Sequence, residues 1–74
     1  MFTLKVFHPD GSYWAIACPD FRVIPATRES VQIVEAGRHL VQFDGSVEKI
    51  FVENENGQTI DVIRASREAK NGLV

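Results

Sequence analysis

The sequence predicts an all-β protein, folded as a small antiparallel barrel or a two-layer sandwich of six to seven short strands. The first observation is the closing run 41–64, where Asp44-Gly45 and Asn56-Gly57 separate stretches of β-branched and aromatic residues. Asp-Gly and Asn-Gly favour hairpin turns because these residues tolerate a positive φ. The second observation is the spacing, since apolar runs recur at intervals of about ten residues, as in small sandwiches and barrels.

The first hairpin is predicted from an alternating strand that ends in a proline turn. Apolar and polar residues alternate over residues 2–7, which indicates a strand with one buried face. His8-Pro9-Asp10-Gly11 fits a type I turn, because proline presets φ at the second position and glycine suits the fourth. Residues 12–18 are therefore expected to form the second strand.

Prolines bound the predicted third strand, which covers residues 21–24. Pro19 and Pro25 lie on either side of it, and proline stops a strand because it has no backbone N–H to donate. The polar residues 26–30 that follow predict either a loop or a single helical turn capped by Thr27.

Two more hairpins are predicted in the second half of the chain. Residues 31–35 and 39–44 flank a turn in which Gly37 takes the strained backbone position. Residues 49–52 and 59–63 flank the Asn-Gly turn. The Asp-Gly turn between residues 44 and 49 joins these two hairpins and is itself predicted as a hairpin turn.

Length and composition predict one small domain over residues 1–74, with residues 65–74 as a short helical turn or a loosely ordered tail. The chain has 74 residues, of which 45% are apolar, an ordinary share for a globular protein. A domain of this size buries only about 60% of the surface that its unfolded chain exposes.

Cysteine content and hydropathy predict a cytoplasmic location. Cys18 is the single cysteine, so no internal disulfide can form, and small secreted domains usually need one. No apolar run is long enough to span a bilayer, and the first residues lack the pattern of a signal peptide. We therefore expect no contact with a membrane.

Charge argues against sequence-independent binding of nucleic acid. The formal net charge is −2, and the basic residues are separated by acidic or apolar ones. A phosphate backbone attracts clustered positive charge, and the sequence contains no such cluster.

The sequence does not predict a catalytic site. A nucleophilic Cys18 would need His8 or His39 as its base, with Asp10, Asp20 or Asp44 to orient that base. Such a thiol needs a nearby cation to lower its pKa, and its neighbours Ala17 and Pro19 supply none. Cys18 is therefore interpreted as a small buried residue at a strand end.

Metal and cofactor sites are not predicted either. Structural zinc sites use closely spaced ligand pairs, and His8, Cys18 and His39 form no such pair. The run 53–57 is acidic but is too short for a calcium loop, so it is interpreted as a solvated hairpin tip.

Apolar residues on both faces of two predicted strands indicate an interaction surface. Tyr13 and Trp14 point to opposite sides of the second strand, and the run Ile50-Phe51-Val52 is apolar on both sides. A strand with one wet face should alternate polar and apolar residues. These five residues are therefore predicted to contact another chain, either a second copy in a homodimer or higher oligomer, or another protein.

The predicted function is a non-enzymatic protein-interaction or assembly module. Small acidic proteins of this type are associated with phage and mobile-element genomes, where such a module would serve as an accessory protein. The alternative is a small β-barrel that binds single-stranded nucleic acid by stacking bases on aromatic residues beside arginines. The residues predicted for that alternative face are Phe7, Trp14, Phe21, Arg22 and Arg28.

Overall fold

The protein is an all-β, sandwich-like fold of two antiparallel sheets in a computed structural model that describes residues 1–65. The strands are β1 (Phe2–Phe7), β2 (Tyr13–Cys18), β3 (Phe21–Ile24), β4 (Ile33–Ala36), β5 (His39–Gln42), β6 (Lys49–Glu53) and β7 (Thr59–Arg64). The predicted fold class is confirmed, and the sheets do not close into a barrel. The helical turn or tail was predicted for residues 65–74, of which residues 66–74 lie outside the described residues.

The large sheet has the strand order β2-β1-β6-β7, and the small sheet has the order β3-β4-β5. Every pair of neighbouring strands is antiparallel. In the large sheet, β1 lies between its hairpin partner β2 and the distant strand β6. The small sheet is formed from the chain that lies between β2 and β6.

The β1–β2 and β6–β7 hairpins close with the same turn. The N–H of His8 donates to the Ser12 carbonyl at 2.8 Å, and the N–H of Gly11 donates to the His8 carbonyl at 3.0 Å. This is a type I turn followed by a glycine at positive φ, here 92°. The predicted proline turn is confirmed.

The second of these hairpins places Asn54 and Gln58 where the first has His8 and Ser12. The N–H of Asn54 donates to the Gln58 carbonyl at 2.9 Å, and the N–H of Gly57 donates to the Asn54 carbonyl at 3.1 Å. Gly57 has a φ of 79°, so the Asn-Gly prediction is confirmed.

The Asp44-Gly45 turn forms, but the prediction that it closes a hairpin is wrong. Its two flanking strands belong to different sheets, because β5 pairs with β4 and β6 pairs with β1. Asp44 Oδ1 accepts hydrogen bonds from the N–H and the hydroxyl of Ser46, at 3.1 and 2.6 Å. The N–H of Glu48 then donates to the Phe7 carbonyl at 2.8 Å, which brings the chain into the large sheet. Long-range pairing with β1 therefore decides where this local turn leads.

The segment between β3 and β4 is a loop, which was one of the two predicted alternatives. Thr27 organises it, since its Oγ1 accepts the N–H groups of Glu29 and Ser30 at 3.2 and 3.1 Å. The Thr27 N–H donates to the Ser30 carbonyl at 2.9 Å. The described residues of this segment contain no helical turn.

The core lies between the inner face of the large sheet and one face of the small sheet. Its buried side chains are Leu4, Val6, Ile16, Cys18, Val34, Ala36, Val41, Phe43, Val47, Ile50, Val52 and Ile63. Phe2 and Phe21 pack against its margin. Their two rings meet edge to face, with centroids 5.4 Å apart. The opposite, outer face of the large sheet carries no covering layer within residues 1–65.

Candidate interaction surface

The structure separates the five residues predicted to form an interaction surface. Ile50 and Val52 are both 0% exposed in the core, which corrects their assignment to a surface. Their register explains this, because Ile50 lies opposite Val6 and Val52 lies opposite Leu4 on the inner face. The run Ile50-Phe51-Val52 is therefore apolar because Ile50 and Val52 lie in the core, while Phe51 lies on the opposite face of β6.

Tyr13, Trp14 and Phe51 remain accessible, although not on one face. Tyr13 is 52% exposed and Trp14 is 41% exposed, while Phe51 is half-buried. Trp14 lies opposite Val6, on the inner-face side of the β2 edge, whereas Tyr13 lies opposite Phe7 on the outer face.

The residues predicted as a nucleic-acid face do not come together either. Phe7 is on the outer face of the large sheet and Trp14 is on the inner side. Phe21 packs at the core margin, and Arg22 forms an ion pair with Glu35 at 3.1 Å on the small sheet. Arg28 lies in the loop between β3 and β4.

Three aromatic rings nevertheless meet on the outer face, in what we call the aromatic cluster: Tyr13, Phe7 and Phe51. The ring centroids of Phe7 and Tyr13 are 4.9 Å apart, and those of Phe7 and Phe51 are 5.0 Å apart. The cluster crosses β2, β1 and β6 in turn. Val62 on β7 lies opposite Phe51 and extends the apolar surface to the far edge.

Two lysines cover the rings of the aromatic cluster. Lys5 Nζ is 5.5 Å from the Tyr13 centroid, and Lys49 Nζ is 5.3 Å from that of Phe51 and 5.6 Å from that of Phe7. Ammonium groups are attracted to ring faces at such distances. The outer face is therefore amphipathic, with cations lying over aromatic carbon.

Glu53 balances one of these cations. Its Oε2 is 2.9 Å from Lys5 Nζ. This hydrogen bond, with the attraction between the two charges, raises the pKa of Lys5 above its ordinary value of 10.5. Arg64, opposite Lys49 in the register, adds a third cation to the same face.

The faces predicted from the sequence included neither Lys5 nor Lys49, although a signal was present. Lys5-Val6-Phe7 and Lys49-Ile50-Phe51 repeat one pattern, lysine and phenylalanine two positions apart. Residues two apart on a strand share a face, so each pair puts a cation beside a ring. That the two strands are neighbours was not visible in the sequence.

The edge of β2 is the second feature of this surface. In antiparallel pairs, hydrogen-bonded and non-hydrogen-bonded residues alternate. His8 and Ser12 form a hydrogen-bonded pair, so every second residue of β2 counted from Ser12 also bonds to β1. The backbone groups of Trp14 and Ile16 therefore point toward β1. The N–H and C=O groups of Tyr13, Ala15 and Ala17 therefore point toward the open edge, and all three residues are exposed.

Within its six residues, the β2 edge carries none of the devices that usually block strand pairing. Natural edges are shortened, bent by bulges, or protected by charges and prolines. Residues 13–18 are Tyr-Trp-Ala-Ile-Ala-Cys, six residues with no charge, no proline and no bulge in their pairing with β1.

The other three edges carry such devices. At β7, the register shifts between Val52 and Glu53, and the charged Asp61 stands on the inner face opposite Val52. The edge strands of the small sheet, β3 and β5, have only four residues each.

The candidate nucleophile and metal ligands form no reactive arrangement. Cys18 is 1% exposed, and burial, with the nearby charge of Asp20, raises the pKa of its thiol above the ordinary 9.0. His8 Nδ1 lies 2.7 Å from the Ser46 carbonyl oxygen, and His39 is on β5. Within residues 1–65, no three His, Cys, Asp or Glu side chains are placed to hold a metal ion.

A shallow depression of about 350 Å³ lies at one end of the small sheet. Asp20, Phe21, Arg22 and Glu35 contribute to its lining. Arg22 and Glu35 form an ion pair with each other, and Asp20 accepts the N–H of Phe21. This depression contains none of the candidate nucleophile or base residues.

Comparisons with protein-family models, with curated proteins and with solved structures found no match. No helix in the described part of the chain is long and apolar enough to cross a membrane.

Proposed function

We propose that this protein is a non-enzymatic protein-interaction module that binds an extended segment of a partner protein as an additional strand beside β2. Strand addition draws its affinity from main-chain hydrogen bonds and its specificity from the alternate side chains. The observation that carries the proposal is the open edge of β2. It is the one edge in residues 1–65 whose strand is longer than four residues, carries no charge and has no register shift.

The side chains around the edge suit an added strand. Tyr13 and Trp14 are the first two residues of β2, and their side chains lie on the outer face and on the inner side, respectively. Both are substantially exposed. Exposed aromatic residues supply large contact areas at little entropic cost, and they are enriched in protein interfaces. The small side chains of Ala15 and Ala17 leave their own outward-pointing backbone groups open to close approach.

Cys18 supports a non-enzymatic role, and on the same residue we propose a cytoplasmic location. A buried thiol with a raised pKa is a poor nucleophile. A free cysteine without a disulfide partner suits a reducing compartment.

A proline at residue 15 tests strand addition. The full chain would serve as the bait for selecting seven-residue peptides from a displayed library. The affinity of the best binder would then be measured for the wild-type chain and for Ala15→Pro. The Ala15 N–H points to the edge, so proline removes a donor to the added strand but none to β1. We expect at least a tenfold weaker affinity.

Leu40→Ser is the matched control, because Leu40 is 61% exposed on β5, away from the β2 edge. This variant should bind the selected peptide as wild type does. Equal affinity for wild type and Ala15→Pro, with both folded by circular dichroism, would refute strand addition at β2.

The aromatic cluster supports a second candidate function, binding of single-stranded nucleic acid. Bases stack on exposed rings and phosphates pair with nearby cations, and here Lys5, Lys49 and Arg64 share the face of the rings. The protein-binding candidate is favoured because the ring faces are already covered by lysines, and because the net charge is −2.

A fluorescence titration with oligothymidylate at low salt tests this second candidate. Phe51→Ala should weaken binding several-fold, since stacking is worth about 1–3 kcal/mol per base. Arg22→Ala, on the small sheet, is the control and should change nothing. No signal from the wild-type chain would eliminate the candidate.

A further inference from the structure

We propose that the strand added to β2 is β2 of a second copy, paired antiparallel about a two-fold axis that passes between Ala15 of one copy and Ala15 of the other. This inference rests on the proposed function, and it names the partner and the register. It joins two large sheets into one continuous sheet.

The direction of the edge groups limits the register. Only the backbone groups of Tyr13, Ala15 and Ala17 point outward, so residues of this set must face each other across the junction. Pairing Ala15 with Ala15 places Tyr13 of each copy opposite Ala17 of the other. This register uses all three outward positions, with about six N–H···O bonds, two for each facing pair.

The same register gives complementary side chains on both faces. On the outer face, each large Tyr13 lies beside the small Ala17 of the other copy, and two alanines meet at the axis. On the inner side, each Trp14 lies beside Ile16 of the other copy. The ring of Trp14, 41% exposed in the single chain, gains an apolar neighbour there.

Charge permits two identical strands to meet. No residue of β2 is charged, so no like charges face each other along the junction. The carboxylates closest to β2 in sequence are in the flanking turns, at the two ends of the junction, where Asp10 of one copy would be on the side of Asp20 of the other. Asp10 accepts the N–H and hydroxyl of Ser12, and Asp20 accepts the N–H of Phe21. Both are therefore held in local hydrogen bonds outside the paired strands.

The protected far edge explains why pairing stops at two copies. A joined sheet would end on both sides in β7, where the register shift beside Glu53 and the inward Asp61 oppose a further strand. An isologous two-fold contact is also the commonest closed form of association.

Cysteine cross-linking tests the register directly. In a Cys18→Ala background, Ala15→Cys places two thiols on facing residues whose Cα atoms are about 5.5 Å apart, within disulfide range. Ala17→Cys is the matched control. In this register, residue 17 of one copy and residue 17 of the other would be offset along the strands by about 13 Å, which is too far for a disulfide. We expect a covalent dimer from Ala15→Cys under mild oxidation and none from Ala17→Cys.

A charge at residue 15 separates folding from association. Ala15 lies opposite Lys5 within the chain, so Ala15→Glu gains a cation as its cross-strand neighbour and should remain folded. At the two-fold axis, however, two carboxylates would face each other. We expect the dimer dissociation constant to rise at least tenfold by sedimentation equilibrium, and Ala15→Lys mixed with Ala15→Glu to associate again.

Three results would overturn the inference. The first is a clean 8.3 kDa monomer at all concentrations up to about 1 mM. The second is a dimer that Ala15→Glu leaves unchanged, and the third is equal cross-linking at residues 15 and 17. If the chain is monomeric but the selected peptides bind wild type and not Ala15→Pro, the added strand does not come from a second copy, and the proposal of strand addition stands. If neither association nor peptide binding occurs, both proposals fail.

Discussion

Asp61 on β7 stands directly opposite Val52 on β6, so a carboxylate shares a face with a fully buried valine. Asp61 is exposed at the sheet edge, and its Oδ1 accepts the N–H of Val62 at 2.8 Å. A charge on the inner side of an edge strand makes a further strand costly to add, because the partner would have to bury it. This pair therefore protects one side of the large sheet, while the β2 side stays open.

Replacing Asp61 with valine should remove that protection. We expect Asp61→Val to form species larger than the dimer as concentration rises, measured by light scattering. Asp61→Asn is the control, since it stays polar and should behave nearly as wild type. An unchanged mass distribution for Asp61→Val would show that the register shift at Glu53 protects this edge alone.

The Gly57 turn should be sensitive to backbone conformation and not to space. A Cβ at Gly57 would meet no atom within 4 Å, but the φ of 79° is unfavourable for a β-branched residue. Gly57→Val should therefore lower the free energy of unfolding by about 1–3 kcal/mol in urea titrations. Gly57→Asn should cost less, because asparagine tolerates this region. Equal stability of the valine variant and wild type would contradict the turn assignment.

Acid should weaken the two turns that contain Asp-Gly-Ser. Hydrogen bonds from Ser46 lower the pKa of Asp44 below its ordinary 3.8, and those from Ser12 do the same for Asp10. A lowered pKa in the folded state means that this stabilisation is present above pH 3.8 and is lost as the pH falls through the folded value. Thermal unfolding between pH 5 and pH 2.5 should show a smaller acid effect in the Asp10→Asn, Asp44→Asn double variant. Identical pH profiles would refute this contribution.

Cys18 should be unreactive in the folded protein. Its thiol is buried and its pKa is raised, so a disulfide reagent at neutral pH should modify it orders of magnitude more slowly than in urea. Cys18→Ala should lower stability by about 1 kcal/mol, as expected for a small buried side chain. Fast labelling of the native chain would restore the nucleophile hypothesis.

Histidine substitutions complete that test. His8→Ala removes a contact with the Ser46 carbonyl and should cause a modest loss of stability, while His39→Ala, on an exposed position of β5, should cause less. Peptide binding at β2 should survive both changes. Loss of binding in either folded variant would point to a site that includes the histidine.

Local signals in the sequence predicted the strands and most turns, because they depend on neighbouring residues. Asp-Gly-Ser occurs twice, at residues 10–12 and 44–46, and both copies make the same side-chain hydrogen bonds. One copy closes a hairpin and the other connects the two sheets. The motif fixes a turn, but the partner of the next strand depends on distant contacts.

The same limit explains which interaction residues were predicted. Tyr13, Trp14 and Phe51 follow from the apolar excess on their strands, and they are accessible in the structure. Ile50 and Val52 could be assigned to the core only once β6 was known to lie beside β1. Lys5 and Lys49 share one face for the same reason.

The central position of β1 also implies an order of assembly for the chain. Phe7 lies between Tyr13, which follows it closely, and Lys49, which is far along the chain. Contacts between distant residues form slowly because a long loop must first close. The small sheet is made of consecutive strands from that intervening segment, so its folding shortens the distance over which β6 must find β1.

We expect pulse-labelled hydrogen exchange to detect protection in β1–β2 and in the small sheet before β6 docks. Until that step, both sides of β1–β2 remain unpaired, which makes this interval the period when the chain is most open to incorrect pairing with other chains.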